Sequence, residues 1–264
     1  MRGTRLDVAL VERGAFPTRE RARAAILAGE VKVDGVVVTK PGHTVGEDAA
    51  LEVAQQERYV SRGGHKLEGA LDAFGIDVRG LRAVDVGAST GGFTDCLLKR
   101  GAASVVAVDV GYGQLAWELR TDPRVTVHER TNVRTADARA LGAPFDLVVC
   151  DVSFISLRTV LPRLVELAGE RGHILALVKP QFEVGKGRVG KKGVVRDPGL
   201  HQEVLEGVVE SVRSAGWVVR GLTFSPLKGP EGNIEFWVWA AADGEPASVQ
   251  PSEVVVEAHR RLGE

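Results

Sequence analysis

Four ionisable residues, two lysines and two carboxylic acids, occupy positions from which they could transfer protons or stabilise charge. They are Lys66 in SRGGHKLEGAL, Asp151 in VVCDVSFIS, Lys179 in LALVKPQFE and Glu235 in GNIEFWVW. In an open α/β sheet, ligands bind outside the carboxyl ends of the strands, and two of the four directly follow predicted strands. We therefore expect Asp151 and Lys179 to point into a cleft. Taken singly, such residues have another interpretation, since a lysine after an apolar strand often extends to solvent and a strand-end aspartate often caps the next helix.

A glycine-rich turn follows the first strand of this region. Glycines at a strand-to-helix turn let a ligand approach the backbone, so a nucleotide-like cofactor is expected. The spacing G-x-x-x-G-G differs from the dinucleotide fingerprint, and the absence of GKS or GKT argues against a phosphate loop, which favours S-adenosylmethionine. Asp109, at the end of the next strand, is expected to bind ribose hydroxyls. The expected cofactor-binding residues around the turn are Asp85, Gly87, Ala88, Ser89, Gly91, Gly92 and Phe93.

The elements that must position these residues follow from the hydrophobic pattern. From residue 80 onward, apolar runs of strand length alternate with helix-sized segments, which predicts a Rossmann-like α/β domain with helices on both faces of the sheet. The last two runs are separated by a short turn region, which predicts an antiparallel hairpin at one edge. We expect a mostly parallel, seven-stranded sheet with an antiparallel edge strand, its strands at residues 83–86, 105–108, 125–127, 147–150, 174–178, 218–224 and 234–239.

A smaller α+β domain is predicted ahead of this sheet. Two short helices come first, with Thr18 placed to cap the second and Gly29 following its end. Asp34-Gly35 suits a type I′ turn between two valine-rich strands. The polar, acidic segment 41–58 is expected to hold the last strand and a linker. The predicted domains are residues 1–58 and 59–264.

Two groups of basic residues are candidates for nucleic-acid contact. Arg19 and Arg23 lie four residues apart on the second helix, away from its apolar stripe, although on an isolated helix such arginines are more often simply solvated. A glycine-rich loop at residues 185–193 follows Lys179, where flexible basic segments suit contact with a phosphate backbone; a solvated surface loop is the alternative. The basic residues of this loop are Lys186, Arg188, Lys191 and Lys192.

The overall composition excludes several other classes of protein. The 264 residues are 44% hydrophobic and 26% charged, as in a globular enzyme, and the net charge of -1 means that nucleic-acid affinity must come from local patches. Cys96 and Cys150 are too few for a disulfide framework or a zinc site, so no metal is expected. The amino terminus lacks the apolar core of a signal peptide, and no run reaches the length of a membrane span. We expect a cytoplasmic monomer without membrane contact.

Residues 4–50 resemble the small RNA-binding domain of the ribosomal protein S-four type, which has the same two helices followed by a VxVDG hairpin. The resemblance implies that Arg19, Arg23 and Lys32 face RNA phosphates, contacts that fix position without reading sequence.

The four ionisable residues resemble, in chain order and placement, the Lys-Asp-Lys-Glu tetrad of the FtsJ-type RNA 2′-O-methyltransferases. With DVGASTGGFTD, CDVSFIS, LVKPQFE, GKGRVGKKGVVRDP and the fused RNA-binding domain, nearly the entire chain resembles the TlyA family. This resemblance implies S-adenosylmethionine-dependent 2′-O-methylation of cytidine in ribosomal RNA or ribosomal subunits, on the large-subunit RNA and in some members also on the small-subunit RNA. Resemblance to class I methyltransferases further places Asn132 near the adenine.

A ribose 2′-hydroxyl holds its proton far above neutral pH, so its methylation needs a positioned base or a charge that stabilises the alkoxide. Lys179 is the candidate base. Three alternatives stand beside this hypothesis: a haemolysin-like membrane-active protein, since the TlyA family also carries that name; a non-catalytic RNA-binding ribosome-assembly factor; and methylation of a small molecule or protein. The sequence shows no insertion helix or barrel-forming hairpin, and all four tetrad positions are filled.

Overall fold

The computed structural model describes residues 3–53, 58–185 and 187–263. Contacts within the chain divide it into two units, Met1–Glu57 and Arg58–Glu264. Each unit has its own hydrophobic core, which forms one cluster of buried side chains in the first unit and two clusters in the second.

In the first unit, two helices and several short strands enclose the core. The Thr18 hydroxyl accepts a hydrogen bond from the N–H of Arg21 and so caps the second helix, as predicted. Asp34 (φ 49°) and Gly35 (φ 80°) adopt the left-handed conformations that a type I′ turn requires. The elements are β1 (Thr4–Arg5), α1 (Leu6–Glu12), α2 (Arg19–Leu27), β2 (Val31–Val33), β3 (Val36–Val37), β4 (Thr44–Val45) and β5 (Leu51–Val53).

The segment 41–58 contains two strands where the sequence predicted one. β4 pairs antiparallel with β1, and β5 pairs antiparallel with β2. A strand of two residues such as β4 is too short to show the alternation that signals a strand, and its pairing partner lies at the start of the chain. Residues 54–57, part of the predicted linker, lie outside the described residues.

The second unit contains the predicted seven-stranded sheet, formed by β6 (Arg82–Val86), β7 (Ser104–Val108), β8 (Val125–His128), β9 (Leu147–Cys150), β10 (His173–Val178), β11 (Val218–Phe224) and β12 (Phe236–Ala241). The strand order is β11-β12-β10-β9-β6-β7-β8. β6 to β10 pair in parallel, whereas β12 is antiparallel to both β10 and β11. The predicted mostly parallel sheet with an antiparallel hairpin at one edge is confirmed. The reversed strand is β12, one position in from the edge strand β11.

Helices cover both faces of this sheet. Alternate residues of a strand enter different cores: Leu147 and Val149 of β9 join the cluster beneath the first two helices of this unit, and Val148 and Cys150 join the cluster on the opposite face. Because both faces are buried, the central strands appear in the sequence as continuous apolar runs. The helices are α3 (Arg62–Phe74), α4 (Gly92–Lys99), α5 (Trp117–Arg120), α6 (Leu157–Ala168), α7 (Pro180–Glu183), α8 (Pro198–Ser214) and α9 (Pro251–Leu262).

Side-chain caps fix where two of these helices begin. The Ser156 hydroxyl accepts a hydrogen bond from the N–H of Arg158 (3.2 Å) and starts α6. The Asp197 carboxylate accepts one from the N–H of Gly199 (2.7 Å), and Pro198 occupies the first helical position of α8. The caps thereby fix the start of α6, which follows β9, and of α8, which follows β10 and α7.

Candidate active site

Four parallel strands of the second unit end at the same edge of the sheet, and a residue with a predicted role follows each of them. β6, β7, β9 and β10 are followed by Gly87, Asp109, Asp151 and Lys179, respectively. Because parallel strands present their carboxyl ends on one side, the sheet gathers residues that are far apart in sequence. This edge is the candidate active site.

A cleft of about 420 Å³ opens at this edge. A cavity of that volume falls within the range typical of small-molecule sites. Lys66 of α3 and Asp151 line the cleft together with five of the predicted cofactor residues, namely Gly87, Ala88, Ser89, Gly92 and Phe93. The fold therefore brings the glycine-rich turn and part of the ionisable set into one cavity.

Two glycines of the turn occupy positions where a larger residue would not fit. Gly87 has a φ of 87°, and a Cβ there would lie 2.5 Å from the carbonyl oxygen of Asp151. A Cβ on Gly92 would overlap the Ser61 hydroxyl and lie 2.8 Å from the backbone nitrogen of Gly64. The ends of β6 and β9, and the first turns of α3 and α4, can therefore approach closely around the cleft.

Asp85 lies beneath the turn instead of lining the cleft. Its fully buried carboxylate accepts hydrogen bonds from the N–H (3.0 Å) and the hydroxyl (2.7 Å) of Thr94 in α4. Burial raises the pKa of Asp85 to about 7, against the lowering effect of the Thr94 hydrogen bonds. The contacts of Asp85 thus hold the start of α4 against β6, and a direct contact with a cofactor stays a prediction.

Three other predicted cofactor residues also lie outside the lining of the cleft. Asp109 accepts hydrogen bonds from the N–H groups of Ser89 (2.8 Å) and Gly111 (2.6 Å), and so joins the glycine-rich turn to the loop after β7. Asn132 is exposed, and its side-chain oxygen accepts a hydrogen bond from a backbone N–H two residues on (3.0 Å). Gly91, with a φ of 95°, immediately precedes α4. Their contacts with a cofactor stay predictions.

The four ionisable residues form two ion pairs of opposite charge. Lys66 Nζ donates a hydrogen bond to Glu235 Oε2 at 2.5 Å, and both side chains are buried. Lys179 Nζ lies 2.5 Å from Asp151 Oδ1. Lys179 Nζ also donates a hydrogen bond to the Ser153 hydroxyl at 2.9 Å. The set has no net charge when all four groups are ionised, and it combines an ammonium group at a cleft wall with a second one beside the strand-end carboxylate.

Glu235 is the most deeply buried member of this set. Burial raises its pKa above the ordinary glutamate value, and the facing Lys66 opposes that rise. Its backbone carbonyl accepts a hydrogen bond from the N–H of Ser225 (2.8 Å), which closes the loop between β11 and β12. Lys66 therefore binds the side chain of Glu235, and Ser225 binds its backbone.

Comparison with known proteins identifies the family to which this arrangement belongs. The model of the FtsJ-like methyltransferase family matches residues 59–242, and that of the S4 domain matches residues 4–51. The chain is 53% identical over 240 residues to the 16S/23S rRNA (cytidine-2′-O)-methyltransferase TlyA of Mycobacterium tuberculosis, covering 90% of each protein. The chain belongs to the TlyA family of FtsJ-like methyltransferases.

Other TlyA-like proteins carry a different name. Hemolysin A of Brachyspira hyodysenteriae is 41% identical over 233 residues, which are 88% of this chain and 97% of that protein. The structure of a candidate hemolysin from Streptococcus thermophilus superposes with a TM-score of 0.75 over 99% of this chain and 97% of that one, at 41% identity. Within residues 3–53, 58–185 and 187–263, no helix combines the length and the apolar character needed to cross a membrane.

The cleft of this TlyA family member also includes residues that the sequence reasoning missed. Ser61, Arg62 and Gly63 line it, as do Thr90 and Pro230. The first three lie in the SRGGHKL segment that contains Lys66, and Thr90 lies inside the glycine-rich turn. Their position in these two motifs could have identified them as candidates. Pro230 lies in the loop between β11 and β12, and nothing in its local sequence connects it with the cleft.

Asn233 was missed as well. This buried residue of the same loop accepts a hydrogen bond from the N–H of Val195 (2.9 Å) and donates one to the carbonyl of Gly193 (2.9 Å). It thereby ties the segment that carries Glu235 to the end of the basic loop after α7.

The predicted RNA-binding residues of the basic loop differ in their contacts with the rest of the protein. Arg188 is exposed and pairs with Glu203 of α8 at 2.5 Å, and Lys192 is exposed with a φ of 61°. Lys186 lies outside the described residues, and of Lys191 the structure describes the backbone alone. The loop thus presents basic groups close behind Lys179, and its contact with RNA stays a prediction.

In the amino-terminal unit, Arg23 and Lys32 are exposed to solvent. Arg19 Nε instead donates a hydrogen bond to the buried carboxylate of Asp7 at 2.9 Å, while about half of its side chain remains exposed. One charge of the predicted basic face is therefore partly compensated by an internal acid, which the sequence reasoning did not foresee. All three residues remain candidates for phosphate contact.

Proposed function

We propose that this protein transfers a methyl group from S-adenosylmethionine to the ribose 2′-hydroxyl of a cytidine in ribosomal RNA. The observation that carries the proposal is that one member of each lysine–carboxylate pair, Lys66 and Asp151, lines the same cleft as the glycine-rich turn. The similarity to a protein named for this reaction on 16S and 23S rRNA supports the nature of the substrate. The S4 domain supports RNA as the partner.

The residues around the glycine-rich turn fit the proposed cofactor. Gly87 and Gly92 line the cleft and carry no side chain there, so a ligand can approach the main chain of the turn. Asp109 stands at the end of β7, and its carboxylate oxygens keep acceptor capacity beyond the two N–H groups they already bind, as contact with ribose hydroxyls requires. S-adenosylmethionine, when bound there, supplies an electrophilic methyl group on a sulfonium.

Lys179 has the position expected of a residue that promotes the loss of the proton from the 2′-hydroxyl. The contacts with Asp151 and Ser153 fix its amino group at the end of β10, at the carboxyl edge of the sheet. A lysine at this place accepts the proton when its amine is neutral, or, as an ammonium group, it stabilises the developing alkoxide by its charge. Lys66 provides the second positive charge at the cleft wall, held by Glu235. The acids orient the lysines, and they balance the charge of the lysines when all four groups are ionised.

The experiment that tests this proposal uses the full chain, S-adenosylmethionine with a labelled methyl group, and purified small and large ribosomal subunits from a strain that lacks a homologue of this protein. We expect label in RNA, recovered as 2′-O-methylcytidine after nuclease digestion, with its position mapped by primer extension at low nucleotide concentration. Label on a base, on a ribosomal protein or on a small molecule would overturn the proposal.

The similarity to Hemolysin A favours one further candidate, a membrane-active protein. A parallel assay measures the release of a trapped dye from liposomes by the same preparation. Dye release without methyl transfer to either subunit would replace the proposed reaction with membrane activity, whereas methyl transfer without release supports the proposal.

A further inference from the structure

The end of α7 carries a buried carboxylate that the proposed reaction does not use. Glu183 is 6% exposed, and its Oε2 accepts a hydrogen bond from the Ser156 hydroxyl at 2.6 Å, while its Oε1 accepts one from the N–H of Leu157 at 2.5 Å. Arg158 pairs with the same carboxylate at 3.3 Å and donates a second hydrogen bond to the Glu183 carbonyl at 3.0 Å. All of these donors belong to the start of α6.

Glu183 supplies a negative charge at the amino terminus of α6, which has no acidic residue of its own in its first turn. The partial positive charge of a helix start favours a carboxylate. The acid comes from α7, a helix of a single turn that is too short to be stable without tertiary contacts. Each short segment therefore depends on the other: Glu183 caps α6, and α6 anchors the end of α7.

These two segments are the outer ends of the two loops that carry the ion pair of the site. The loop after β9 runs from Asp151 to Ser156, and the segment after β10 runs from Lys179 to Glu183. Next to the strands, the ion pair between Lys179 and Asp151 joins the two segments. At their far ends they are joined by Glu183, and in between the rings of Phe154 and Phe182 lie 5.2 Å apart.

We propose that Glu183 is a positioning residue for methyl transfer, which sets the separation of the two loops and thereby the place of the Lys179 amino group. Displacement of a reacting group by about 1 Å costs up to about 10²-fold in rate even when it arises away from the chemistry. A carboxylate that is bound by several donors at the far end of both loops prevents such a displacement. The inference rests on the proposed function, because it assigns Lys179 to the reacting centre.

The test is the variant Glu183→Gln in the full chain, which keeps the size of the side chain and removes its charge. The amide presents a donor to one of the groups that now donate to the carboxylate, so the contact with α6 weakens. With RNA and cofactor both saturating, we expect the single-turnover rate to fall by about 10- to 100-fold. The Kd for S-adenosylmethionine should stay within about twofold, because the glycine-rich turn is untouched.

The matched control is Asp197→Ala, which removes the side-chain oxygen that caps α8 without touching either loop. It should lower the melting temperature to a similar extent and leave the single-turnover rate close to that of the unmodified protein. Arg158→Ala weakens the same contact from the other partner and should reduce the rate in the same direction. The double variant Glu183→Gln/Arg158→Ala should be no slower than Glu183→Gln, because both changes act through one contact.

An unchanged single-turnover rate for Glu183→Gln would overturn the inference, as would an equal fall for Asp197→Ala. If Glu183→Gln does not fold, Arg158→Ala decides alone, because that side chain is about half exposed and its loss leaves the buried carboxylate bound to Ser156 and Leu157. An unmodified protein that methylates neither subunit would contradict the proposed function instead, so the two failures are distinguishable.

Discussion

The buried pair of Lys66 and Glu235 makes a prediction about stability that the structure allows us to quantify. Lys66→Met keeps an apolar chain of similar length in α3 and removes the ammonium group, so that the Glu235 carboxylate stays buried without its partner. Removal of one member of a buried pair costs about 3–5 kcal/mol, because the remaining charge is uncompensated. The exposed fractions of the two side chains, 8% for Lys66 and 1% for Glu235, leave little room for screening by solvent.

This free energy corresponds to a large change in melting temperature. For a domain of about 150–250 residues, each kcal/mol lowers the melting temperature by roughly 2–4 °C, so we expect a loss of roughly 6–20 °C for Lys66→Met near pH 8. The double variant Lys66→Met/Glu235→Gln buries a neutral amide in place of the charge. It should recover at least about half of the loss, because the two changes act on one interaction.

The loss should depend on pH in a definite direction. Burial raises the pKa of Glu235 above its ordinary value, and removal of the opposing Lys66 lets it rise further. A carboxyl group whose pKa is raised by folding contributes most stability below its ordinary pKa, and that contribution is lost as the pH rises through the folded value. The difference in melting temperature between Lys66→Met and the unmodified protein should therefore be smaller at about pH 5 than at about pH 8.

Thermal unfolding followed by circular dichroism at both pH values measures these differences. Arg79→Met is the matched control: it removes one member of an exposed pair with Asp77, in which solvent screens the charges and the contact adds little stability. A Lys66→Met protein as stable as the control at about pH 8 would refute the reasoning, and so would a loss that does not shrink at the lower pH. Either result would mean that the carboxylate finds solvent or another partner once Lys66 is gone.

Three further predictions concern the site itself. Asp109→Ala should weaken the binding of S-adenosylmethionine by about 2–4 kcal/mol in titration calorimetry, the worth of a pair of charge-assisted hydrogen bonds; unchanged affinity would contradict the placement of the ribose. Lys179→Arg and Lys179→Ala should both lose about 10²- to 10⁴-fold in the single-turnover rate if Lys179 is a base, whereas an active arginine variant would indicate electrostatic stabilisation. Phe154, 91% exposed with a φ of 63°, should stack on RNA, so Phe154→Ala should weaken RNA binding by about 1–3 kcal/mol in filter binding without lowering cofactor affinity; equal RNA affinity would exclude that contact.

The main sheet was predictable because its strands are buried on both faces. Continuous apolar runs such as the one that ends at Cys150 carry that information locally, and the residues that follow them lie at the carboxyl edge by the geometry of parallel strands. Asp151 and Lys179 could therefore be placed from sequence. Their ion pair was not predicted, because the sequence pattern does not show which strands are neighbours in the sheet.

Contacts between distant segments could not be predicted in the same way. Pro230 reaches the cleft, and Asn233 binds the backbone at Val195, only because the loop between β11 and β12 returns to the carboxyl edge of the sheet. Glu183 appears in the sequence as one acid in LVKPQFE, and its role at the start of α6 depends on a contact across two loops. The burial of Asp85 beneath the turn likewise follows from the side of β6 on which α4 packs, and its hydrogen bonds with Thr94 could not be read from the sequence.

The proposed function assigns chemistry and RNA attraction to different groups of charged residues. The two lysines of the site are each matched by an acid, and the chain as a whole has a net charge of -1, so neither the site nor the overall charge draws a polyanion. Affinity for RNA must then come from basic groups outside the tetrad, such as Arg23 and Lys32 of the amino-terminal unit and Lys192 of the loop after α7, which are exposed to solvent. In the reaction that we propose, the ion pairs hold both lysines in place before RNA arrives, and docking determines which ribose is brought to Lys179.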